Sequence, residues 1–200
     1  MFLACKFYKI LIDPLLKKLR KEIASLIPEK SNIIEIGSGT GAQSIILSQT
    51  ANRVVGIDIN DVMTSCATKK ANSLNLNNIK YHTADGSNLN FISDKEFDFA
   101  IITLALHELE NELRIQIINE MKRISNHLII ADYNAPLPKN FSGFGSNIIE
   151  KIAGGSHYKG FKDYIKKGGI ITILNQMDLK IENQYNAISN SIIIIEIKTS

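Results

Sequence analysis

Hydrophobic residues recur along this chain at two different periods. Across 6–27 they fall every three or four positions, at Leu15, Leu16, Leu19, Ile23, Leu26 and Ile27. That is the stripe of an amphipathic helix, with Lys17, Lys18, Arg20, Lys21 and Glu22 on its solvated face. Pro14 suits its first turn or a break before it, and Pro28 ends it. Beyond it, short apolar runs at 32–36, 53–58, 79–83, 97–104 and 127–132 read as strands. Helical stretches fall between them at 42–50, 61–74 (with Asp61 as the cap) and 110–124. Strands alternating with helices predict an α/β domain built on a parallel sheet. A run such as 100–104, apolar throughout, suits a strand covered on both faces.

The alternation breaks after 133. Residues 134–160 hold Pro136, Pro138 and a cluster of glycines, with one short helical stretch at 148–153. The segment is too short for a core of its own and reads as an insertion, not a second domain. Gly168 and Gly169 precede a helix at 170–177. The stretches 179–188 and 192–197, joined by Ser189, Asn190 and Ser191, read as an antiparallel hairpin closing the sheet. The expected architecture is therefore one doubly wound domain over 1–200. Residues 1–28 form an N-terminal cover helix and 134–168 an insertion or lid over a pocket.

Composition narrows the function without naming it. The 200 residues are 44% hydrophobic and 22% charged, enough for a sizeable core and unlike a disordered tail. A net charge of +3 argues against nucleic acid or a membrane surface as a partner. No apolar stretch is long enough to span a bilayer. Lys6 and Lys9 interrupt the apolar start that could have been a lipoprotein signal. A cytoplasmic protein is expected, a monomer or homodimer. Cys5 and Cys66 fit no metal-ligand spacing and read as free thiols. The 35 isoleucines against 3 valines, and 19 lysines against 4 arginines, read as coding bias.

The chemistry concentrates in the loops that follow strands. Glu35-Ile-Gly37-Ser38-Gly39-Thr-Gly41 joins a strand to a helix, where glycines let backbone turn tightly and approach a ligand. The spacing is neither the GxGxxG of a dinucleotide fold nor a phosphate loop, which would need Gly-Lys-Ser/Thr. Glu35 would repel phosphate and welcome an ammonium group. Asp58, at the end of the second strand, can accept both hydroxyls of a ribose. Asp85-Gly86, after the third strand, offers an acid for an adenine amino group. These residues sketch a nucleoside bearing a free ammonium, which S-adenosylmethionine satisfies.

This run of motifs, extended by Phe97-Asp-Phe-Ala-Ile-Ile-Thr-Leu-Ala-Leu-His107, resembles the class I S-adenosylmethionine-dependent methyltransferases over 30–133. The resemblance implies a seven-stranded, mostly parallel, Rossmann-like methyltransferase fold whose last antiparallel strand lies inside the sheet. It implies S-adenosylmethionine as cofactor and S-adenosylhomocysteine as product. Glu35, Gly37, Ser38, Gly39 and Gly41 would line the methionine part and Asp58 would take the ribose. Ile59 and Met63 would flank the adenine, which Asp85 and Gly86 would meet at its amino edge. Thr103 and Leu104 would face the methyl. There is no Asn-Pro-Pro-Tyr or Asp-Pro-Pro-Tyr after the fourth strand, the mark of methylation at base or glutamine amino groups. The match is closer to the small-molecule, ubiquinone/menaquinone-type branch. The Pro-Gly-Gly turn frequent in that branch is replaced by Ile124-Ser-Asn-His127.

The expected acceptor is thus a small molecule. A protein or RNA acceptor, or a non-catalytic cofactor-binding module, is the alternative. Catalytic candidates are His107, beside Glu108 after the fourth strand, and His157 and Tyr158 in a glycine-flanked stretch read as a mobile lid. Asp132 and Tyr133, after the fifth strand, could reach the same pocket. His82 and His127 read as structural.

Overall fold

The computed structural model describes residues 13–140, 142–143 and 155–199. The expected helix at 148–153, and the apolar start with Cys5, lie outside them. A helical turn, Asp13–Leu15, leads into α1 (Lys17–Ser25), which buries Leu19 and Ile23. The sheet is built from β1 (Asn32–Ile36), β2 (Arg53–Asp58), β3 (Ile79–Thr83), β4 (Phe97–Thr103), β5 (Ser125–Tyr133), β6 (Ile181–Ala187) and β7 (Ile192–Lys198). Between them run α2 (Ala42–Leu47), α3 (Asp61–Ser73), α4 (Asn111–Ile124), α5 (Gly155–Lys166) and α6 (Gly169–Gln176).

The strand order is β3-β2-β1-β4-β5-β7-β6. The first five strands are parallel, and β7 runs antiparallel to both β5 and β6. The expected seven-stranded, doubly wound sheet with an inserted antiparallel strand is therefore present. Its centre is dry: Ile33, Ile34, Ala100, Ile101, Ile102, Ile129, Ile130 and Ile195 are almost fully buried. β-branched side chains pack well on a pleated surface covered on both faces. The edge strand β6, Ile-Glu-Asn-Gln-Tyr-Asn-Ala, is mostly exposed and polar, which blunts edge pairing.

Chain order reverses between β1 and β4, so the loops after these two strands diverge and leave a crevice at their carboxyl ends. The glycine loop 37–41 lies on one side of this crevice and 104–110 on the other. They come close: a Cβ added to Gly37 would lie 3.1 Å from the Cβ of Ala105.

Three local expectations need correcting. The cap of α3 is Asn60, not Asp61: its Oδ1 accepts from the N–H groups of Val62 (3.0 Å) and Met63 (3.4 Å). Cys66, half-buried on α3, is disulfide-bonded, not a free thiol. His157 and Tyr158 lie on the first turn of the helix α5, not in a loop.

Candidate functional site

Three glycines after β1 take left-handed backbone, at φ +69° (Gly37), +52° (Gly39) and +75° (Gly41). Two have distinct reasons. A Cβ at Gly41 would strike the Tyr81 ring and Ala67, so glycine lets α2 sit against β3 and α3. A Cβ at Gly39 would meet nothing within 4 Å among the described residues, so that position opens onto the crevice. Backbone there is free to approach a ligand.

Beneath the loop, Glu35 is buried and accepts from the Ser44 hydroxyl. Burial pushes its carboxyl up to about 7, against the opposing pull of the Ser44 hydrogen bond and the Arg20 charge. Burial, and after it the neighbouring Glu35 carboxyl, also raise the Tyr81 phenol well above its ordinary value. Asp58 ends β2 and points its carboxylate back across the loop. Its Oδ2 accepts from Gly39 N–H (2.7 Å) and its Oδ1 from Asn60 N–H (2.8 Å). One acid thereby ties the glycine loop to the start of α3. Ser38 and Thr103 each hold a buried hydroxyl with no hydrogen-bond partner among the described residues.

The far rim is more open. Ile59 is 75% exposed and Met63 half-buried on α3. Asp85 caps its own turn: Oδ1 accepts from the Ser87 N–H (2.9 Å) and hydroxyl (2.7 Å). Gly86 packs its backbone against Ile36.

On the other side, β4 ends at Thr103 and Leu104 turns with φ +52°. A short 3-10 turn, Leu106–Glu108, follows. His107 sits inside it, 2% exposed, with Nδ1 2.6 Å from Oδ1 of Asp132, itself 1% exposed at the end of β5. The same carboxylate accepts from the backbone N–H of His107 (3.2 Å) and of Tyr133 (2.7 Å). An ionised carboxylate only accepts, so Nδ1 carries the proton and Nε2 is the basic nitrogen. Tyr133 meets the imidazole edge-on at 4.7 Å, and Phe161 and Tyr164 flank it at 6.0 and 6.4 Å. Glu108 bridges the two histidines: Oε1 is 3.9 Å from His107 Nε2, and Oε2 is 2.8 Å from His157 Nδ1. Tyr158 stacks loosely on Phe161 at 6.3 Å, with the Lys162 ammonium 5.6 Å from its ring.

Arg114 of α4 holds this corner together. It is fully buried. Nε donates to Leu106 O (3.0 Å), Nη2 to Gly160 O (3.0 Å) and His107 O (3.4 Å), and Nη1 to Asp163 (3.3 Å). The planar guanidinium fork suits this work, joining the 3-10 turn to α5.

The methyltransferase-domain family model matches residues 33–127, which span the glycine loop, Asp58, Asp85 and the β4 turn. Over these residues, just under half of its length, the chain is similar to methyltransferase domains. Protein-L-isoaspartate O-methyltransferase of Dinoroseobacter shibae is 32% identical over 94 residues, 47% of this chain and 43% of that protein. This chain spans less than half the length of the curated relatives it matches. Among solved structures, a SAM-dependent methyltransferase from Aquifex aeolicus superposes with a TM-score of 0.68 at 16% identity. The match covers 94% of this chain and 98% of that one. Magnesium protoporphyrin IX methyltransferase of Synechocystis PCC 6803, with bound S-adenosylhomocysteine, gives 0.65 at 18% identity, covering 100% and 89%. The [4+2]-cyclase SpnF gives 0.63 at 15% identity, covering 87% and 61%. At these identities the likeness is one of fold.

The residues around the crevice fit S-adenosylmethionine, the cofactor expected from the sequence. Gly39 leaves room for a close backbone approach, Glu35 is a buried acid for an ammonium group, and the Ser38 and Thr103 hydroxyls are unsatisfied. Sequence reasoning missed two residues, Arg20 and Arg114. It placed Arg20 on a solvated face, yet its side chain is only 11% exposed and paired with Asp13, which reaches Thr40 of the glycine loop. Their signal was scarcity. In a chain with 19 lysines and 4 arginines, an arginine is a candidate for a role that needs the fork, as at Arg114.

If Glu35 meets the ammonium group of the cofactor, as the sequence leads one to expect, binding depends on pH. An ammonium group beside it favours the carboxylate, so cofactor binding below pH 7 must release the proton held there. Affinity for S-adenosylhomocysteine should fall as pH drops through 7, by up to about tenfold per unit. Calorimetry between pH 5.5 and 8 checks this. Glu35→Gln should bind more weakly at pH 8 and lose the slope.

Proposed function

We propose that the chain transfers the methyl group of S-adenosylmethionine to a small-molecule acceptor held between the β4 turn and the first turns of α5. The observation that carries this reading is the buried Asp132–His107 pair at the carboxyl end of β4, across the crevice from the glycine loop. A base is needed when the acceptor is a weak nucleophile, a phenol or an activated carbon. The aromatic side chains of Tyr133, Tyr158 and Phe161 beside His107 suit a ring-bearing acceptor of the ubiquinone/menaquinone precursor type.

When bound, the sulfonium supplies an activated methyl group with a good leaving group. The work left to the chain is alignment and water exclusion. Glu35 and the loop 37–41 hold the methionine part, Asp58 the ribose, and Ile59, Met63, Asp85 and Gly86 the adenine. Thr103 and Leu104 face the transferred methyl. His107 Nε2 takes the acceptor's proton while Asp132 keeps its tautomer and orientation. The acceptor's electron pair forms the new bond to carbon, and the S–C pair stays on sulfur. His157, set by Glu108, and Tyr158 orient the acceptor from α5.

A protein acceptor is the second reading, favoured by the isoaspartate methyltransferases among the relatives. Those matches cover about half of this chain. The deciding experiment incubates the protein with methyl-labelled S-adenosylmethionine and host extract. Label in the small-molecule fraction supports the proposal. Label confined to protein or RNA overturns it, and no transfer at all favours a non-catalytic module.

A further inference from the structure

Arg20 and Asp13 form an ion pair over the glycine loop, with Nη2 2.9 Å from Oδ1 and Nη1 donating to the Asp13 carbonyl at 3.0 Å. Both side chains are largely covered, at 11% and 17% exposure. The second carboxylate oxygen of Asp13 accepts from the Thr40 hydroxyl at 3.0 Å, inside the loop. Gln43, at the start of α2, donates to the Arg20 carbonyl at 3.1 Å. A carboxylate therefore bridges the guanidinium of the N-terminal helix and the hydroxyl of the loop.

The charges around this bridge have a pattern. Glu35 lies two residues before Gly37, and Arg20, tied through Asp13 to Thr40 of the loop, is near enough for its charge to favour the Glu35 carboxylate. An acid and an arginine fork facing one glycine loop match the two charges of an α-amino acid, ammonium to Glu35 and carboxylate to Arg20. Arginine is suited to the second role because its fork matches a carboxylate. The fork already holds a carboxylate, and it belongs to the chain.

We propose that Asp13 is a built-in stand-in for the α-carboxylate of the cofactor, competing with it for Arg20. The inference rests on the reading that the loop binds S-adenosylmethionine. Asp13 neutralises Arg20 while the site is empty. The entering carboxylate displaces it, and Asp13 retakes the fork when S-adenosylhomocysteine leaves. The exchange swaps one charged pair for another, so it tempers affinity for the amino-acid end and eases product release. The turn Asp13–Leu15 loses its tie to Thr40 when the cofactor arrives, which makes the approach to α1 a reporter of occupancy. A ligand shifts such an equilibrium only by its differential affinity for the two states, and a ligand without a carboxylate has none here.

Calorimetry with two probes tests this: S-adenosylhomocysteine, and 5′-methylthioadenosine, which carries the same nucleoside without the amino-acid end. Asp13→Asn keeps the shape and an acceptor for Thr40 but removes the competing charge. It should tighten S-adenosylhomocysteine about tenfold, the scale of one charged pair, and leave methylthioadenosine within about twofold. Arg20→Gln should weaken S-adenosylhomocysteine at least about tenfold, spare methylthioadenosine, and abolish the gain from Asp13→Asn in the double variant. Weaker S-adenosylhomocysteine binding by Asp13→Asn overturns the proposal, because a permanent strut behaves that way. An equal change in both probes overturns it too. If Arg20→Gln fails to fold, the sign of the Asp13→Asn effect decides alone. Binding of neither probe by the wild type defeats the cofactor reading itself, a different result from a mis-signed Asp13→Asn.

Discussion

Asp58→Ala should lower affinity for S-adenosylhomocysteine by at least about a hundredfold, to the edge of detection by calorimetry. Two losses combine. The first is the seat for the ribose: hydrogen bonds to a charged group contribute roughly 1.5–3 kcal/mol each, and a vicinal diol makes two. The second is local. Asp58 fixes the N–H of Gly39 at 2.7 Å and that of Asn60 at 2.8 Å. Alanine removes the tie at Gly39, the glycine that opens onto the crevice, and leaves the loop joined to β2 by the bond from Ser38 N–H to the Ile57 carbonyl (2.9 Å). Asp58→Asn separates the two losses. Its amide oxygen still accepts from Gly39 or Asn60, but only one acceptor remains where the carboxylate had two. It should fall between wild type and alanine. A thermal melt shows whether either variant has lost the fold. An Asp58→Ala protein that stays folded and binds within threefold of wild type would remove Asp58 from the cofactor site.

The fold was legible because its signals are local. The glycine loop, the acid that ends β2 and the closing hairpin each lie within a few consecutive residues. In the other half of the site the residues were named but their pairing was not, because its contacts are long-range. Asp132 and His107 are 25 residues apart, and only the pairing of β4 with β5 brings them together. The segment around His157 was read as a loop because glycine weakens a helix. In the structure Gly160 is where α5 presses on the 3-10 turn: a Cβ there would strike the carbonyl oxygen of Glu108. The glycine serves packing, and tertiary contact overrides its propensity. Asn60 displaced Asp61 as the cap of α3 because its side-chain oxygen, one residue earlier, is the one that accepts from the N–H groups of Val62 and Met63. Arg20 was hidden by its neighbours. Lys17, Lys18 and Lys21 make the helix read as a solvated face, and only its length and fork carry Arg20 back to the loop.

His107→Ala should leave S-adenosylhomocysteine binding near wild type and lower turnover on the acceptor by about 10²–10⁴-fold, the usual contribution of a general base. The separation is expected from position. His107 lies beyond the end of β4, while the cofactor half of the crevice is built by Glu35, the glycine loop and Asp58. Lost packing would give a different signature. His107 is wedged between Asp132, Tyr133, Phe161 and Tyr164, so alanine leaves a cavity about the size of an imidazole. That cavity allows a chemical test: added imidazole should restore part of the activity of His107→Ala, and an aliphatic molecule of similar size should not. Asp132→Asn should keep the cofactor bound and lose most of the turnover. Its amide can offer an N–H where the carboxylate accepted, which favours the tautomer with the proton on the wrong nitrogen. Imidazole should not rescue it, since the ring is present and misassigned. If His107→Ala keeps turnover within a few-fold of wild type on the true acceptor, the base lies elsewhere. The Asp132–His107 pair is then a strut under Arg114 and α5, and the acceptor is nucleophilic enough to need no base.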